Sequence, residues 1–290
     1  MDTLALPASS KREERIARAM IWCVALLVTG TFAWIVGDVF VHGISGLSLS
    51  FITEAPERGG RAGGILPIIV STLSILAVSL VVAIPLGLAT AVLLAEFTRR
   101  DNWFSTLVAR SLDVLAAVPS IVFGLFGNAF FCVWLGMGYS ILAGGLTLAC
   151  MVLPILIRSL EAALRAVPDE YRFAAAALGM SKTRTVLSIL LPCAAPGLVV
   201  GLILGIGRVL AETAALLFTS GYVDRMPESV MDSGRSLSIH IFDLAMNVPG
   251  GEPNAYSSAV VLILMLLIIN FTAVWGTDRW VRKISGQSAT

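Results

Sequence analysis

In the segment GIGRVLAET, residues 205–213, Arg208 and Glu212 interrupt a run that is otherwise apolar from Ala194 to Phe218. A guanidinium is a planar, permanently charged fork of donors that fits carboxylate and phosphate oxygens. A carboxylate accepts a hydrogen bond from a protonated oxyacid, so the pair suits an oxyanion that still carries a proton. The other reading is that the two charges neutralise each other four residues apart, although acid before base is the better order on a helix. At 100° per residue, Gly197, Gly201, Gly205, Arg208 and Glu212 share an arc of about 80°. Glycines four residues apart let a second helix come close. This face is therefore expected to carry both close packing and the charges, turned toward protein or a water-lined path. In lipid, either charge would cost at least about 2.5–3.5 kcal/mol. Thr213 and Ser120 are further candidates for lining such a path; the plainer alternative is that each bonds to helix backbone.

Other chemistry finds no residues to carry it. The three lysines, Lys11, Lys182 and Lys283, follow Ser10, Ser181 and Arg282, so no Gly-Lys pair and no phosphate-binding P-loop is present. His42 and His240 are isolated, which removes the HExxH pattern and most histidine-based metal sites. Cys23, Cys132, Cys150 and Cys193 have no zinc-ligand spacing and read as small buried hydrophobes. No Ser/His/Asp or Cys/His set stands out, and no basic cluster points to nucleic acid. If ATP drives this protein, another chain must hydrolyse it.

The elements that must position the charged pair are membrane helices. Of 290 residues, 57% are hydrophobic and 13% charged, about half the charged fraction of soluble domains; mean hydropathy is +0.88. A crossing needs about 20 apolar residues, and six stretches qualify. The first covers residues 20–41 behind a short N-terminal segment, 1–19, that holds Lys11, Arg12, Arg15 and Arg18. It lacks a cleavage site and reads as an uncleaved helix. The second runs 65–97, long enough to tilt or bend near Pro85. The third is expected over 114–135, the fourth over 140–157, the fifth over 195–218 and the sixth from 259 to 274 or beyond. Residues 65–280 thus form a five-helix core. Fifteen of the 20 Lys and Arg fall on one side if both termini are cytoplasmic, and an even number of spans agrees with that orientation. Asp113, near Arg110, is expected to be an interfacial or structural partner.

The one long inner loop, residues 158–192, reads as helical. Pro168 suits a first helical position, Asp169 and Glu170 favour the positive helix end, and Gly179 is a natural stop. Ser181 then caps a second helix toward Pro192. Ala174–Ala177 flanked by Tyr171, Phe173 and Leu178 make either an ordinary connector or a knob for a cytoplasmic partner's groove. From Gly179, nine residues lead to Ile189-Leu190-Leu191-Pro192. This resembles the EAA-loop signature of bacterial ABC importer membrane subunits, E-A-A-x3-G-x9-I-x-L-P. Ala174, Ala175, Gly179, Ile189, Leu191 and Pro192 match, whereas Phe173 replaces the glutamate. No ion pair to an ATPase is therefore expected at that position.

Further stretches narrow the resemblance: FITEAPERGGRAGGILPIIVSTL (51–73), AIPLGLATAVLLAEF (83–97), VPSIVFGLFGN (118–128), GRVLAETAALLFTS (207–220) and SLSIHIFDLAMN (236–247). Together they are similar to the phosphate-specific (PstA-type) permeases of ABC importers, which commonly read GRALGETAPLL where this chain has Ala211 and Ala215. The resemblance implies an all-α, six-helix type I importer permease (MetI-like) in a bacterial inner membrane, moving inorganic phosphate. It implies a related PstC-type permease, a PstB-type ATPase dimer holding ATP and Mg, and a periplasmic PstS-type binding protein as partners, with no cofactor on this chain. Tyr171, Phe173, Ala174, Ala175, Leu178 and Gly179 become the candidate ATPase-coupling helix. Alternatives remain: another oxyanion such as sulfate or molybdate, an ion-coupled secondary transporter, or a non-transporting sensor. The outer segment 219–258 is either a docking surface for the binding protein or a solvated loop, with SLSIHIFDLAM at the membrane surface or dipping inward.

Overall fold

A computed structural model describes residues 8–98 and 102–285 of the chain. Residues 1–7 of the N-terminal segment, and Arg99 and Arg100 of the inner-side charge count, lie outside the described residues. The first helix, α1 (Ala8–Gly43), is followed by the short α2 (Leu49–Thr53) and a two-residue antiparallel pairing, β1 (Pro56–Glu57) with β2 (Ala62–Gly63). Next come α3 (Leu66–Val92), α4 (Trp103–Ala117), α5 (Ser120–Gly127), α6 (Ile141–Ala166) and α7 (Asp169–Ala177). The remainder is α8 (Lys182–Thr185), α9 (Leu191–Ala211), α10 (Ala214–Leu217), α11 (Leu237–Met246) and α12 (Glu252–Ser285). Wider π-helical turns extend α3 to Phe97 and α5 to Trp134, and join α8 to α9.

The helix starts are set by side chains that occupy otherwise orphaned amide groups. Ser140 accepts from the Ala143 amide at 3.1 Å to begin α6, and Ser236 accepts from Ile239 at 3.3 Å to begin α11. The most buried span is α6: 67% of its most apolar stretch is inside the protein, against none for α1. Helix α6 lies between α3 and α9 because small residues let it in. A Cβ on Gly145 would come within 2.6 Å of Val78, and one on Gly87 within 3.3 Å of Leu156. Ile75, Leu148, Val152, Ile206, Val209 and Leu216 make the upper core; Leu94, Leu160, Leu164, Val186 and Leu190 make the lower one. Helix α1 meets α12 near its C-terminal end, where the Ser257 hydroxyl donates to the Gly43 carbonyl at 3.0 Å.

Among the described residues, five helices are long and apolar enough to cross a membrane, and the count reaches six if the bent pair α4–α5 is one crossing. Four expectations need correction. The third span is not a straight helix over 114–135: α4 and the continuation of α5 meet at 102°. Pro119 has no amide proton and pushes Val118 out of the helical region, to ψ 129°. The fifth span does not run unbroken to Phe218; it ends at Ala211, with Glu212 extended at ψ 125°. The inner loop is shorter than 158–192. Residues 158–166 finish α6, and Lys182–Ala211 forms one continuous helical run, leaving 167–181 with α7 as the connection. Pro168 precedes α7 as its cap instead of being its first residue.

Candidate functional site

The two broken spans meet at their breaks. A Cβ on Gly124 of α5 would lie 2.8 Å from the Ala215 Cα of α10, and the Asn128 side-chain amide donates to the Phe218 carbonyl at 2.8 Å. The register 124 to 215 and 128 to 218 runs parallel. Ser120, the first residue of α5, is half-buried.

Several backbone groups at the second break find partners. The Glu212 amide donates to the Val209 carbonyl at 3.3 Å, and the Glu212 carbonyl accepts from the Ser238 hydroxyl of α11 at 2.6 Å. The Glu212 carboxylate accepts from the Ala215 amide through Oε1 at 3.1 Å, so it starts α10. Backbone at membrane depth is tolerated where protein satisfies it in this way. Thr213, half-buried, supplies the carbonyl that accepts from Leu217 at 3.0 Å.

Arg208 occupies the last turn of α9, where a cation faces the carbonyl end of the helix dipole. It is half-buried, and its Nε is fully enclosed with no hydrogen-bond partner among the described residues. No ion pair joins Arg208 to Glu212 among those residues: the helix that would stack them ends between them, and the carboxylate caps α10 instead. The reading of mutual neutralisation at i, i+4 therefore has no geometric support. The common arc also stops at Arg208, because Glu212 has left the helix.

Gly197, Gly201 and Gly205 do form a close-approach seam, but its occupant is α6 of the same chain. A Cβ on Gly197 would overlap the Ala163 Cβ; on Gly201 it would meet Ser159 Cβ at 3.1 Å, and on Gly205 Val152 Cγ1 at 2.7 Å. The Ser159 hydroxyl seals the approach by donating to the Gly197 carbonyl at 2.7 Å.

The connecting helix α7 has two faces. Phe173 and Leu178 are 72% and 79% exposed, with Tyr171, Ala174 and Gly179 also outward. Ala175 is 1% exposed and packs inward, so it is removed from the outward set in which the sequence placed it. Gly179 follows at φ 70°, the left-handed region that suits glycine at a helix end. Spacing missed Arg172, which reaches Glu96 at the end of α3 by two hydrogen bonds of 2.5 and 3.2 Å. A second ionic group joins Arg158 to Asp113 at 2.6 Å and links Arg158 and Arg165 through Glu161. Asp113 therefore pairs with α6 and not with nearby Arg110.

A family profile described as "Binding-protein-dependent transport system inner membrane component" matches residues 83–286. The chain belongs to that family. A "Probable ABC transporter permease protein YqgI" of Bacillus subtilis (strain 168) is 31% identical, over 91% of this chain and 95% of its own. The "Phosphate transport system permease protein PstA" of Mycobacterium leprae (strain TN) is 35% identical, over 92% of this chain and 85% of its own. Among solved structures, a bacterial alginate ABC transporter in complex with an alginate pentasaccharide-bound periplasmic protein has TM-score 0.66 and 13% identity, covering 93% of the permease and 98% of that chain. The inward-facing MetNI methionine ABC transporter has TM-score 0.54 and 21% identity, covering 75% and 95%. These two likenesses show the MetI-like fold, and the permease is a multi-pass membrane subunit of a binding-protein-dependent transport system.

Proposed function

We propose that the permease forms half of the pathway of an ATP-driven inorganic phosphate importer, with both termini cytoplasmic. The observation that carries this reading is Arg208 at the end of α9, half-buried and without an ion pair or hydrogen-bond partner among the described residues. A partly desolvated charge without a counter-ion is costly, and a phosphate oxygen at its guanidinium would reduce that cost during transit. Relatives named as phosphate permeases support the choice of anion. Glu212 commits one oxygen to the Ala215 amide, which leaves the other to accept a proton-bearing phosphate oxygen. Sulfate carries no proton at neutral pH. Ser120 and Thr213, both half-buried, serve as polar lining in this reading.

The proposed assembly joins this chain to a PstC-type permease, a PstB-type ATPase dimer and a PstS-type binding protein. ATP and Mg reside on the ATPase. The outward face of α7, with Tyr171, Phe173, Ala174 and Leu178, is the surface offered to the ATPase. Its apolar side chains replace the missing EAA glutamate, so docking there rests on packing instead of an ion pair.

The test is phosphate uptake by the assembled complex in proteoliposomes. Arg208→Ala removes a charge-assisted contact of about 1.5–3 kcal/mol, so uptake should fall by roughly 10- to 100-fold with assembly intact. Wild-type uptake in that variant would overturn the reading.

A further inference from the structure

Arg172 has five N–H donors, and each meets an acceptor. Nε donates to Glu96 Oε2 at 3.2 Å, Nη1 to the Val167 carbonyl at 2.8 Å and Asp169 Oδ1 at 3.2 Å. Nη2 donates to Glu96 Oε1 at 2.5 Å and to the Leu164 carbonyl at 2.9 Å. One guanidinium thus ties α7 to the inner end of α3 and to the last carbonyls of α6. Lysine, with three donors and no planar fork, could not make this set. The Glu96 side chain is 6% exposed, so the pair is shielded from solvent screening.

The outer end of α3 is tied as firmly. The Thr72 hydroxyl donates to the Ile68 carbonyl at 2.7 Å and accepts from the Leu237 amide of α11 at 2.8 Å. The next residue, Ser238, holds the Glu212 carbonyl at 2.6 Å. From Thr72 to Glu96 is about 36 Å of helix at 1.5 Å per residue. Along that length α3 is packed on α6. By contrast, the covalent route from α7 to the pathway runs through Gly179, where a Cβ would meet nothing within 4 Å, and only then into α9.

We propose that α3 is the rod through which α7 displaces the break at Glu212, with Glu96, Arg172 and Thr72 as its positioning residues. This rests on the reading of α7 as the ATPase-docking helix. Motion applied to α7 is carried by the Arg172–Glu96 fork into α3, and from Thr72 through α11 to the Glu212 carbonyl. The covalent link closes α7 through the Gly179 and Met180 amides, which donate to the Ala176 and Ala175 carbonyls at 3.0 Å, and carries the chain on toward α9.

The experiment measures phosphate taken up per ATP hydrolysed in proteoliposomes holding the full complex. A role confined to folding would change the amount of complex but not this ratio. Glu96→Leu with Arg172→Leu removes both charges and leaves neither buried alone, which keeps the fold accessible. Thr72→Val breaks the other end while leaving the inner fork intact. Both should lower the ratio at least tenfold, and Glu96→Gln should lower it less because one acceptor oxygen remains. An unchanged ratio in the assembled double variant or in Thr72→Val overturns the rod. Ala174→Cys cross-linking to the ATPase is read in parallel in wild type and variants. Its persistence alongside a lowered ratio supports the proposal. Its absence from the wild-type complex sinks the docking reading on which the proposal rests, separately from the ratio.

Discussion

At the scale of single residues, Glu212 has two jobs that one substitution can separate. Its carboxylate caps α10 and is also available to a protonated anion. Glutamine retains a carbonyl oxygen for the Ala215 amide, whereas alanine does not. Glu212→Ala should therefore destabilise the permease by about 1 kcal/mol, the usual effect of losing a cap, measured by unfolding in detergent. Glu212→Gln should stay near wild-type stability but lose preference for phosphate over sulfate in uptake competition. An unchanged preference would confine Glu212 to capping. Arg208 and Glu212 were legible in the sequence because charges in an apolar run are expensive wherever they sit. Their separation was not. Residues 208–217 favour continued helix, and the break depends on Ser238, 26 positions away, taking the Glu212 carbonyl. The Arg172–Glu96 fork was invisible for the same reason: 76 positions divide the two residues, and the signature drew attention to Phe173 beside it.

At the scale of elements, the glycine seam and the breaks were legible to different degrees. Glycines spaced by four on one face announced a close helix neighbour, but no local pattern could say that α6 of the same chain would fill it. The bend at Pro119 follows from proline chemistry, yet the apolar run across it looked like a single crossing because length and hydropathy ignore direction. The EAA-like spacing located α7 because both its ends are marked, by Pro168 and Gly179. The seam also makes a graded prediction. Gly197→Ala places a methyl against the Ala163 methyl and should cost about 1–3 kcal/mol by overpacking. Gly205→Ala, 2.7 Å from a single valine methyl, should cost less, and Gly201→Ala, at 3.1 Å, less again. Gly207→Ala, with nothing nearer than 3.9 Å, is the control and should be neutral or slightly stabilising. Equal unfolding midpoints across the four variants would show that α6 and α9 are not held at this spacing.

For the whole molecule, the packing around α11 includes a buried imidazole with a definite linkage to pH. His240 of α11, outside the spanning helices, is 0% exposed, and neither ring nitrogen has a partner among the described residues. Its pKa falls from 6.5 to about 4, chiefly through burial, with Arg235 adding to the shift and Asp243 opposing it. The folded protein thus holds the ring neutral while the unfolded chain protonates it below about pH 6.5. The stability difference is absent above pH 6.5. As pH falls, the unfolded state binds the extra proton, and stability declines until the folded ring itself titrates near pH 4. A shift of this size corresponds to about 3 kcal/mol over the full window. Asp232, held below the usual carboxylate value by the Glu228 and Ser229 amides, contributes stability that is lost only toward the acid end of this range and below it. The same ring sits where a Cβ on Gly60 would come within 2.7 Å of Cε1, and Ser238 on its helix holds Glu212. Charging the ring should therefore loosen the loop before β2 and the support of the pathway together. Thermal unfolding of the purified permease in detergent should show a midpoint that falls from pH 6.5 to pH 4.5. His240→Gln, which has no proton to gain, should flatten that part of the profile. Parallel profiles for wild type and variant would assign the pH dependence to groups elsewhere in the protein.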